Sequence, residues 1–203
     1  MKKRITKTIG YFPGAFKPPH IGHYNAVKHA SKVCDQVVIV LSEAPRDQIT
    51  GEMALQVWQA YIIEFSNVKI ELLKGSPVSY VYDKIEEINN SEQASSYSIK
   101  LFGDKNDYDR WKNIEKYSEN IGKITYINTP RVVSARELRD ALSSGNDGFV
   151  SQYLPSHVDK DFILGILKSN VTLAPIDSAV ASNNYNGVNS SHYVNSPPGG
   201  QNA

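Results

Sequence analysis

The chain has 203 residues, with 22 lysines and arginines, 21 aspartates and glutamates, and one cysteine. This length suits one domain, and a formal net charge of +1 excludes the basic excess typical of proteins that coat nucleic acid or acidic membranes. A single cysteine excludes an internal disulfide and favours a reducing, cytoplasmic setting. Because no run of 18 apolar residues occurs and the basic start precedes a strand-like segment, we expect neither a membrane span nor a signal peptide.

The composition changes near residue 168. Residues 169–203 contain seven asparagines and six serines, no lysine or arginine, and one acid, Asp177. Such a segment buries too little apolar surface to offset chain entropy, so we expect residues 1–168 to form the folded domain and the remainder to be a disordered tail. The alternative is that the tail, which carries Tyr185 and Tyr193, docks a protein partner.

Short β-branched runs alternate with amphipathic stretches before the tail. The pattern predicts strands over residues 5–12, 36–41, 67–73, 98–102 and 123–127. It predicts helices over residues 20–33, 50–65, 78–88 and 107–117, one from Ser134 onward, and a helical 149–167 broken at Pro155. Five strands separated by helices indicate a mostly parallel five-stranded sheet with helices on both faces, a three-layer α/β sandwich. Ligands bind such sheets beyond the carboxyl ends of the strands, so residues that directly follow strands are candidate site residues.

The first candidate segment, residues 14–23 (GAFKPPHIGH), lies between the first strand and the first helix. Gly14 permits a close backbone approach, and the two prolines delay the helix until His20. His20 and His23 are three residues apart, so they share one face of the first helical turn, and Gly22 leaves room for a bulky group. Because free N–H groups and the dipole favour anions at a helix N-terminus, this segment predicts a phosphate site.

The second candidate segment, residues 131–139 (RVVSARELR), follows the fifth strand. Ser134 and Glu137 have the spacing of a capping box, which predicts a helix start. Arg136 and Arg139 add positive charge within one turn of that start, so the segment is a second candidate phosphate site. An ordinary capped surface helix, with Arg136 paired to Asp140, is the alternative.

Both segments resemble motifs of the nucleotidyltransferase superfamily that is related to the class I aminoacyl-tRNA synthetases. The first matches G-x-F-x-P-x-[TH]-x-G-H at Gly14, Phe16, Pro18, His20, Gly22 and His23. The second matches I-S-S-T-x-I-R at Val133, Ser134, Leu138 and Arg139. Arg136 stands where the family usually has threonine, which puts that hydroxyl contact in doubt.

The resemblance implies a Rossmann-like fold in a nucleotidyltransferase domain over residues 1–168. It implies transfer of a nucleoside monophosphate, AMP from ATP being favoured, to a phosphorylated small-molecule acceptor, with Mg²⁺ bridging the triphosphate and pyrophosphate leaving. The catalytic residues would be His20, His23, Lys17 and Arg139. The nucleotide-binding residues would be Gly14, Ala15, Phe16, Gly22, Arg131, Ser134, Ala135 and Arg136. No protein ligand for the metal is assigned.

Acceptor-binding candidates follow the second and fourth strands. Arg46 stands where related enzymes often place a basic residue that contacts the acceptor phosphate. Asp104 and Lys105, with Trp111 further on, come one residue short of the Gly-x-Asp and tryptophan pattern of the nicotinamide mononucleotide adenylyltransferases. We expect the acceptor to resemble nicotinamide mononucleotide or phosphopantetheine.

Three other classes stay in view at this point. One is a cytidylyltransferase acting with CTP on an alcohol or sugar phosphate. Another is a nucleotide-binding or assembly protein that lost catalysis and uses the tail for docking. A synthetase fragment is disfavoured by the length and by the absence of a K-M-S-K-S motif. Neither nucleic acid nor membrane is expected as a partner, and the sequence leaves open whether the chain forms a homo-oligomer.

Overall fold

The structure is a computed structural model that describes residues 5–169. The predicted tail, apart from Ser169, lies outside the described residues, and so do the first four residues of the chain. The domain boundary at residue 168 therefore stays a prediction.

A five-stranded sheet forms the centre of the described chain. Its strands are β1 (Lys7–Gly14), β2 (Gln36–Ser42), β3 (Val68–Leu73), β4 (Tyr97–Gly103) and β5 (Lys123–Asn128). Their order is β3-β2-β1-β4-β5, and every neighbouring pair is parallel. The predicted fold class is confirmed, and the sheet is wholly rather than mostly parallel. From β1 the chain adds β2 and β3 on one side of the sheet and then crosses to add β4 and β5 on the other side. The crevice between the carboxyl ends of β1 and β4 is therefore the topological switch point, where such folds bind ligands.

Helices cover both faces of the sheet. They are α1 (Ile21–Val33), α2 (Gly51–Ile62), α3 (Pro77–Asn89), α4 (Ala135–Ser143), α5 (Asp147–Gln152) and α6 (Lys160–Lys168). Alternate residues of β2 enter two cores: Ile39 joins side chains of α1, α2 and α6, whereas Val40 joins side chains of α3. This explains why the sequence of β2 is continuously apolar. None of the helices in the described part is long and apolar enough to cross a membrane.

The predicted helix starts at Thr50, Ser76 and Ser134 are confirmed, since each side chain accepts the backbone N–H three residues ahead. The predicted α-helix over residues 107–117 is wrong. The structure has two short 3₁₀ helices there, Lys105–Trp111 and Ile114–Tyr117. Aspartate and asparagine are frequent in this stretch, and their side chains compete for backbone groups, which disfavours a continuous α-helix.

Candidate active site

One cavity of about 420 Å³ lies over the carboxyl ends of β1 and β4 and receives both candidate segments. The sequence-predicted residues that line it are Gly14, Ala15, Phe16, Lys17, His20, Gly22, His23, Arg46, Asp104, Arg131, Ser134, Ala135, Arg136 and Arg139. Lys105 and Trp111 do not line it. Trp111 is buried in the α3 core, where its ring stacks on Tyr82 at 5.5 Å. The structure thus brings together two segments more than a hundred residues apart.

The loop after β1 has two backbone amides that are not hydrogen-bonded within the described chain. Phe16 has a left-handed backbone (φ 49°), which costs a non-glycine residue about 1 kcal/mol or more. Its ring contacts Phe12 at 4.8 Å and Trp58 at 5.4 Å, and it covers Gly14 so closely that a Cβ there would lie 2.7 Å from the ring. Within the described chain, no acceptor takes the N–H of Ala15 or Phe16. Two successive free amides of this kind suit a phosphate.

Lys17 is buried although it carries a charge. Its Nζ donates to the carbonyl of Ser42 at 2.5 Å and to that of Ala15 at 3.4 Å. Burial, with a smaller contribution from the Arg46 charge, lowers the pKa of Lys17 to about 8. At neutral pH the ammonium therefore stays largely charged, and it ties the loop after β1 to the end of β2 while adding positive potential to the cavity.

His20 and His23 stack on one another with ring centroids 3.6 Å apart. His20 is the N-cap of α1 rather than a first-turn residue, and its Nδ1 accepts the N–H of Gly22 at 3.2 Å. A backbone N–H can only donate, so a neutral His20 carries its proton on Nε2. A Cβ at Gly22 would lie 3.1 Å from the His20 ring and 3.2 Å from Val132, so a larger residue would push on the imidazole and on Val132. The space that Gly22 leaves is thus taken up by the neighbouring imidazole and Val132.

Both imidazoles are neutral near pH 7. Burial, helped by the Arg131 charge, lowers the pKa of His20 to about 4. Burial, the neighbouring His20 and Arg131 hold the pKa of His23 well below its usual range. Among the described residues, the Nδ1 of His23 is buried and has no hydrogen-bond partner. The pair can therefore donate or accept hydrogen bonds without bringing a fixed positive charge.

The first two amides of α1 are not free, although the sequence predicted free amides at this helix start. The N–H of Ile21 donates to the carbonyl of Tyr153 at 2.6 Å, and that of Gly22 donates to His20. The sequence could not show the first contact because it joins segments far apart in the chain. The anion-binding capacity of this end therefore comes from imidazoles and from the loop amides rather than from the first amides of the helix.

At the start of α4, the two backbone amides after Ser134 are free within the described residues. The N–H and hydroxyl of Ser134 both donate to the Glu137 carboxylate, at 2.9 and 2.7 Å, and these bonds lower the pKa of Glu137. The polar groups of Ser134 are thus occupied by the capping box. Within the described residues, the amides of Ala135 and Arg136 have no acceptor. The Arg136 side chain is 84% exposed and 3.9 Å from Asp140, a pairing of little energy.

Charged groups complete the wall on the side of β4 and β5. Asp104 pairs with Arg131 at 3.5 Å, and Asp107 pairs with Arg110 at 3.0 Å. The sequence prediction missed Asp107 and Arg110, which also line the cavity. Their position directly after β4, three residues apart, was a usable signal. The lining cations outnumber the carboxylates, so the cavity favours a polyanion.

No group of three or more histidine, cysteine, aspartate or glutamate side chains among residues 5–169 has a metal-binding arrangement. The two lining carboxylates already pair with arginines. This donor set fits a magnesium ion that is held by phosphate oxygens and water rather than by a protein cage.

A wholly parallel α/β sheet whose switch-point cavity combines free amides, imidazoles and excess cations has a site of the class whose chemistry suits a phosphorylated ligand. More particularly, the chain belongs to the cytidylyltransferase-like family, whose model matches residues 11–129. This confirms the resemblance to the nucleotidyltransferase superfamily.

Two curated relatives are phosphopantetheine adenylyltransferases. That of Aquifex aeolicus is 29% identical over 91 residues, which are 44% of this chain and 52% of the relative. That of Natranaerobius thermophilus is 31% identical over 80 residues, 38% of this chain and 49% of the relative. The chain thus spans about half the length of the curated relatives it matches.

Solved structures show the same fold. A Vibrio parahaemolyticus protein described as a nicotinate-nucleotide adenylyltransferase superposes with a TM-score of 0.55 at 21% identity, covering 78% of this chain and 99% of that one. A bifunctional NMN adenylyltransferase/ADP ribose pyrophosphatase from Francisella tularensis, in a complex with AMP and a manganese ion, superposes with a TM-score of 0.56 at 18% identity. The match covers 81% of this chain and 50% of that one. These likenesses confirm the Rossmann-like fold.

Proposed function

We propose that this chain is an adenylyltransferase that transfers AMP from ATP to a phosphorylated small molecule and releases pyrophosphate. The observation that carries the proposal is a single cavity lined by free amides, two neutral imidazoles and an excess of cations. Adenylyltransferases among the curated relatives support ATP over CTP. The nicotinate-nucleotide enzyme among the neighbouring folds is compatible with a phosphorylated acceptor.

The reaction needs alignment and charge stabilisation more than covalent help. An oxygen of the acceptor phosphate forms a bond to the α-phosphorus of ATP. The bond between that phosphorus and the α,β-bridging oxygen breaks, and the bridging oxygen leaves with pyrophosphate. Because the acceptor phosphate is already ionised, no general base is required, which agrees with a site whose two histidines are weak bases because their pKa values are lowered.

Each part of the cavity has a role in this proposal. The amides of Ala15 and Phe16 bind the α-phosphate, and His20 and His23 donate to the oxygens on which charge develops as pyrophosphate forms. The amides of Ala135 and Arg136 bind the terminal phosphates. Neutral donors fixed before the substrate arrives need no reorganisation during the reaction, which is how preorganised polar sites lower a barrier.

In this proposal the acceptor binds on the side of Arg46, which lies in the loop after β2. Arg46 lines the cavity, and its side chain has no ion-pair partner among the described residues. Arg131 and Asp104, which pair at the opposite end, would instead lie beside the nucleoside. Magnesium supplies neutralisation of the triphosphate charge when it is bound.

The test is pyrophosphate release by the full chain with magnesium and either ATP or CTP. The acceptor panel contains nicotinate mononucleotide, nicotinamide mononucleotide, phosphopantetheine, and alcohol and sugar phosphates. We expect release with ATP and one acceptor. Release with CTP alone would indicate the cytidylyltransferase alternative. ATP binding without release from any pair would contradict the proposal and indicate a nucleotide-binding protein that lost catalysis.

A further inference from the structure

We propose that Asp47 is a positioning residue that holds Arg139, and through it the phosphate-binding loop, in register with Arg46. This inference rests on the proposed function, and it concerns a residue outside both motifs. Asp47, Arg139 and the backbone carbonyl of Lys17 form what we call the clasp. The clasp joins three segments: the loop after β1, the turn over residues 46–49, and α4.

A single guanidinium makes the central contacts of the clasp. The Nε of Arg139 donates to the Asp47 carboxylate at 2.5 Å, and its Nη1 donates to the Lys17 carbonyl at 2.6 Å. The Arg139 side chain is 9% exposed, whereas that of Asp47 is 62% exposed. The planar guanidinium fixes the directions of its donors, so the two bonds set the relative position of two segments. Lysine could not do the same, because its three donors share one atom.

The turn over residues 46–49 is built to present Asp47. Arg46 and Ile49 exchange backbone hydrogen bonds at 2.9 and 3.1 Å. Asp47 has a left-handed backbone (φ 52°), a conformation that aspartate and asparagine tolerate better than most residues. Gln48 donates from Nε2 to the carbonyl of Arg139 and to the hydroxyl of Ser143, both at 3.3 Å. The turn is thus attached to α4 by side chains of two successive residues, and backbone strain is retained at the tip.

The charge of Asp47 argues for positioning rather than for binding. A second hollow of about 450 Å³ opens beside the main cavity, and the two share Arg46, Arg136 and Arg139. A carboxylate among these arginines weakens the attraction of this region for a polyanion. What it provides instead is a fixed distance between the backbone at Arg46, on the acceptor side, and Arg139, on the triphosphate side. In-line displacement depends on that distance, since small misplacements of reacting groups slow such reactions strongly.

A loss of turnover without a loss of pyrophosphate affinity distinguishes positioning from a merely structural role. Asp47→Asn keeps the shape and tolerates the left-handed backbone, but it removes the charge. We expect kcat to fall about tenfold, because an ion pair becomes a weaker hydrogen bond from the guanidinium to an uncharged amide oxygen. We expect the Kd for pyrophosphate to stay unchanged or to fall, because one repulsive charge is gone. In an Arg139→Lys background, Asp47→Asn should change kcat less than about twofold, since the partner of Asp47 is already lost.

The control is Asp140→Asn, which removes a carboxylate from the same hollow. Its pairing with Arg136 is long and exposed, so we expect kcat within about twofold of the wild type. A kcat within twofold for Asp47→Asn would overturn the inference. So would a fall in kcat matched by an equal loss of pyrophosphate affinity, or a full effect of Asp47→Asn in the Arg139→Lys background.

Hydrogen exchange separates failure of this inference from failure of the proposed function. If the wild-type chain releases no pyrophosphate with any substrate pair, the clasp still predicts faster exchange of the hydrogen-bonded amides of Arg46 and Ile49 in Asp47→Asn, with exchange in α6 unchanged. Unchanged exchange at these two amides would overturn the clasp whatever the activity of the chain. Faster exchange in a chain without activity would support the clasp and contradict the proposed adenylyltransferase activity.

Discussion

The starts of α1 and α4 meet at one cavity, yet they contribute different chemistry to it. At α1 the amides of Ile21 and Gly22 are already bonded within the protein, and the helix presents stacked imidazoles. At α4 the amides of Ala135 and Arg136 are free within the described chain, and an exposed guanidinium stands beside them. A helix start with imidazole or guanidinium groups close by predicted the same phosphate chemistry for both. The difference shows that a helix start can bind an anion only through those backbone N–H groups that are not already hydrogen-bonded to other parts of the protein.

Burial makes the two helix starts respond differently to their surroundings. His20 is almost inaccessible and neutral, so its contribution depends on short-range geometry and little on salt. The Arg136 charge is exposed, so its contribution is screened by ions in solution. Turnover should therefore depend chiefly on the α1 start, and nucleotide affinity more on the α4 start.

Replacement of His23 by alanine tests the α1 side most strongly. We expect His23→Ala to lower kcat by about 10²–10³-fold, the usual cost of removing one preorganised donor. The measurement is the rate of pyrophosphate release at saturating ATP and acceptor. His29→Ala is the matched control, because His29 is an exposed histidine on the same helix, and it should leave kcat unchanged. An unchanged rate for a folded His23→Ala variant would remove the imidazoles from the mechanism.

The sequence predicted the sheet, most helix starts and the cavity's two main segments because these depend on local signals. The buried run of β2 and the cap at Ser134 need no distant partner to be recognised. The clasp could not be predicted from the sequence, since Asp47 and Arg139 are 92 residues apart and their pairing arises from packing. Trp111 shows the same limit: the motif placed it at the acceptor, whereas packing against Tyr82 placed it in the core.

The stability of the chain should fall in acid partly because of the His pair. Burial lowers the pKa of His20 in the folded state to about 4, below the ordinary histidine value of 6.5. The unfolded chain therefore binds the proton first, so the contribution to stability is present above pH 6.5 and is lost as the pH falls toward 4. At about pH 5 the loss from His20 alone is about 2 kcal/mol, roughly 30-fold in the unfolding constant.

His20→Asn isolates this contribution, because asparagine also caps helices and does not titrate. We expect its free energy of unfolding, measured by urea denaturation, to decline less between pH 7 and pH 5 than that of the wild type. Equal declines would show that the folded chain holds His20 with an ordinary pKa. The α1 start would then carry a charge in mild acid, and its contrast with α4 would be lost.

Replacement of Arg136 by threonine, the residue usual in the family motif, tests the α4 side and should have the smallest effect. We expect Arg136→Thr to raise the KM for ATP about two- to fivefold at low salt and to leave kcat within about twofold. The reason is that an exposed charge adds attraction for the terminal phosphates but does not fix the reacting atoms.

The salt dependence of Arg136→Thr gives the sharper test. At about 0.5 M salt the screening length falls to about 4 Å, so the difference in KM between variant and wild type should nearly vanish. Lys160→Thr, which removes an exposed charge at the start of α6, is the matched control and should leave KM unchanged at either salt concentration. A large, salt-independent fall in kcat for Arg136→Thr would mean that its guanidinium contacts the reacting phosphates directly. The α4 start would then be a catalytic element equal to α1, and the division between the two helix starts would have to be abandoned.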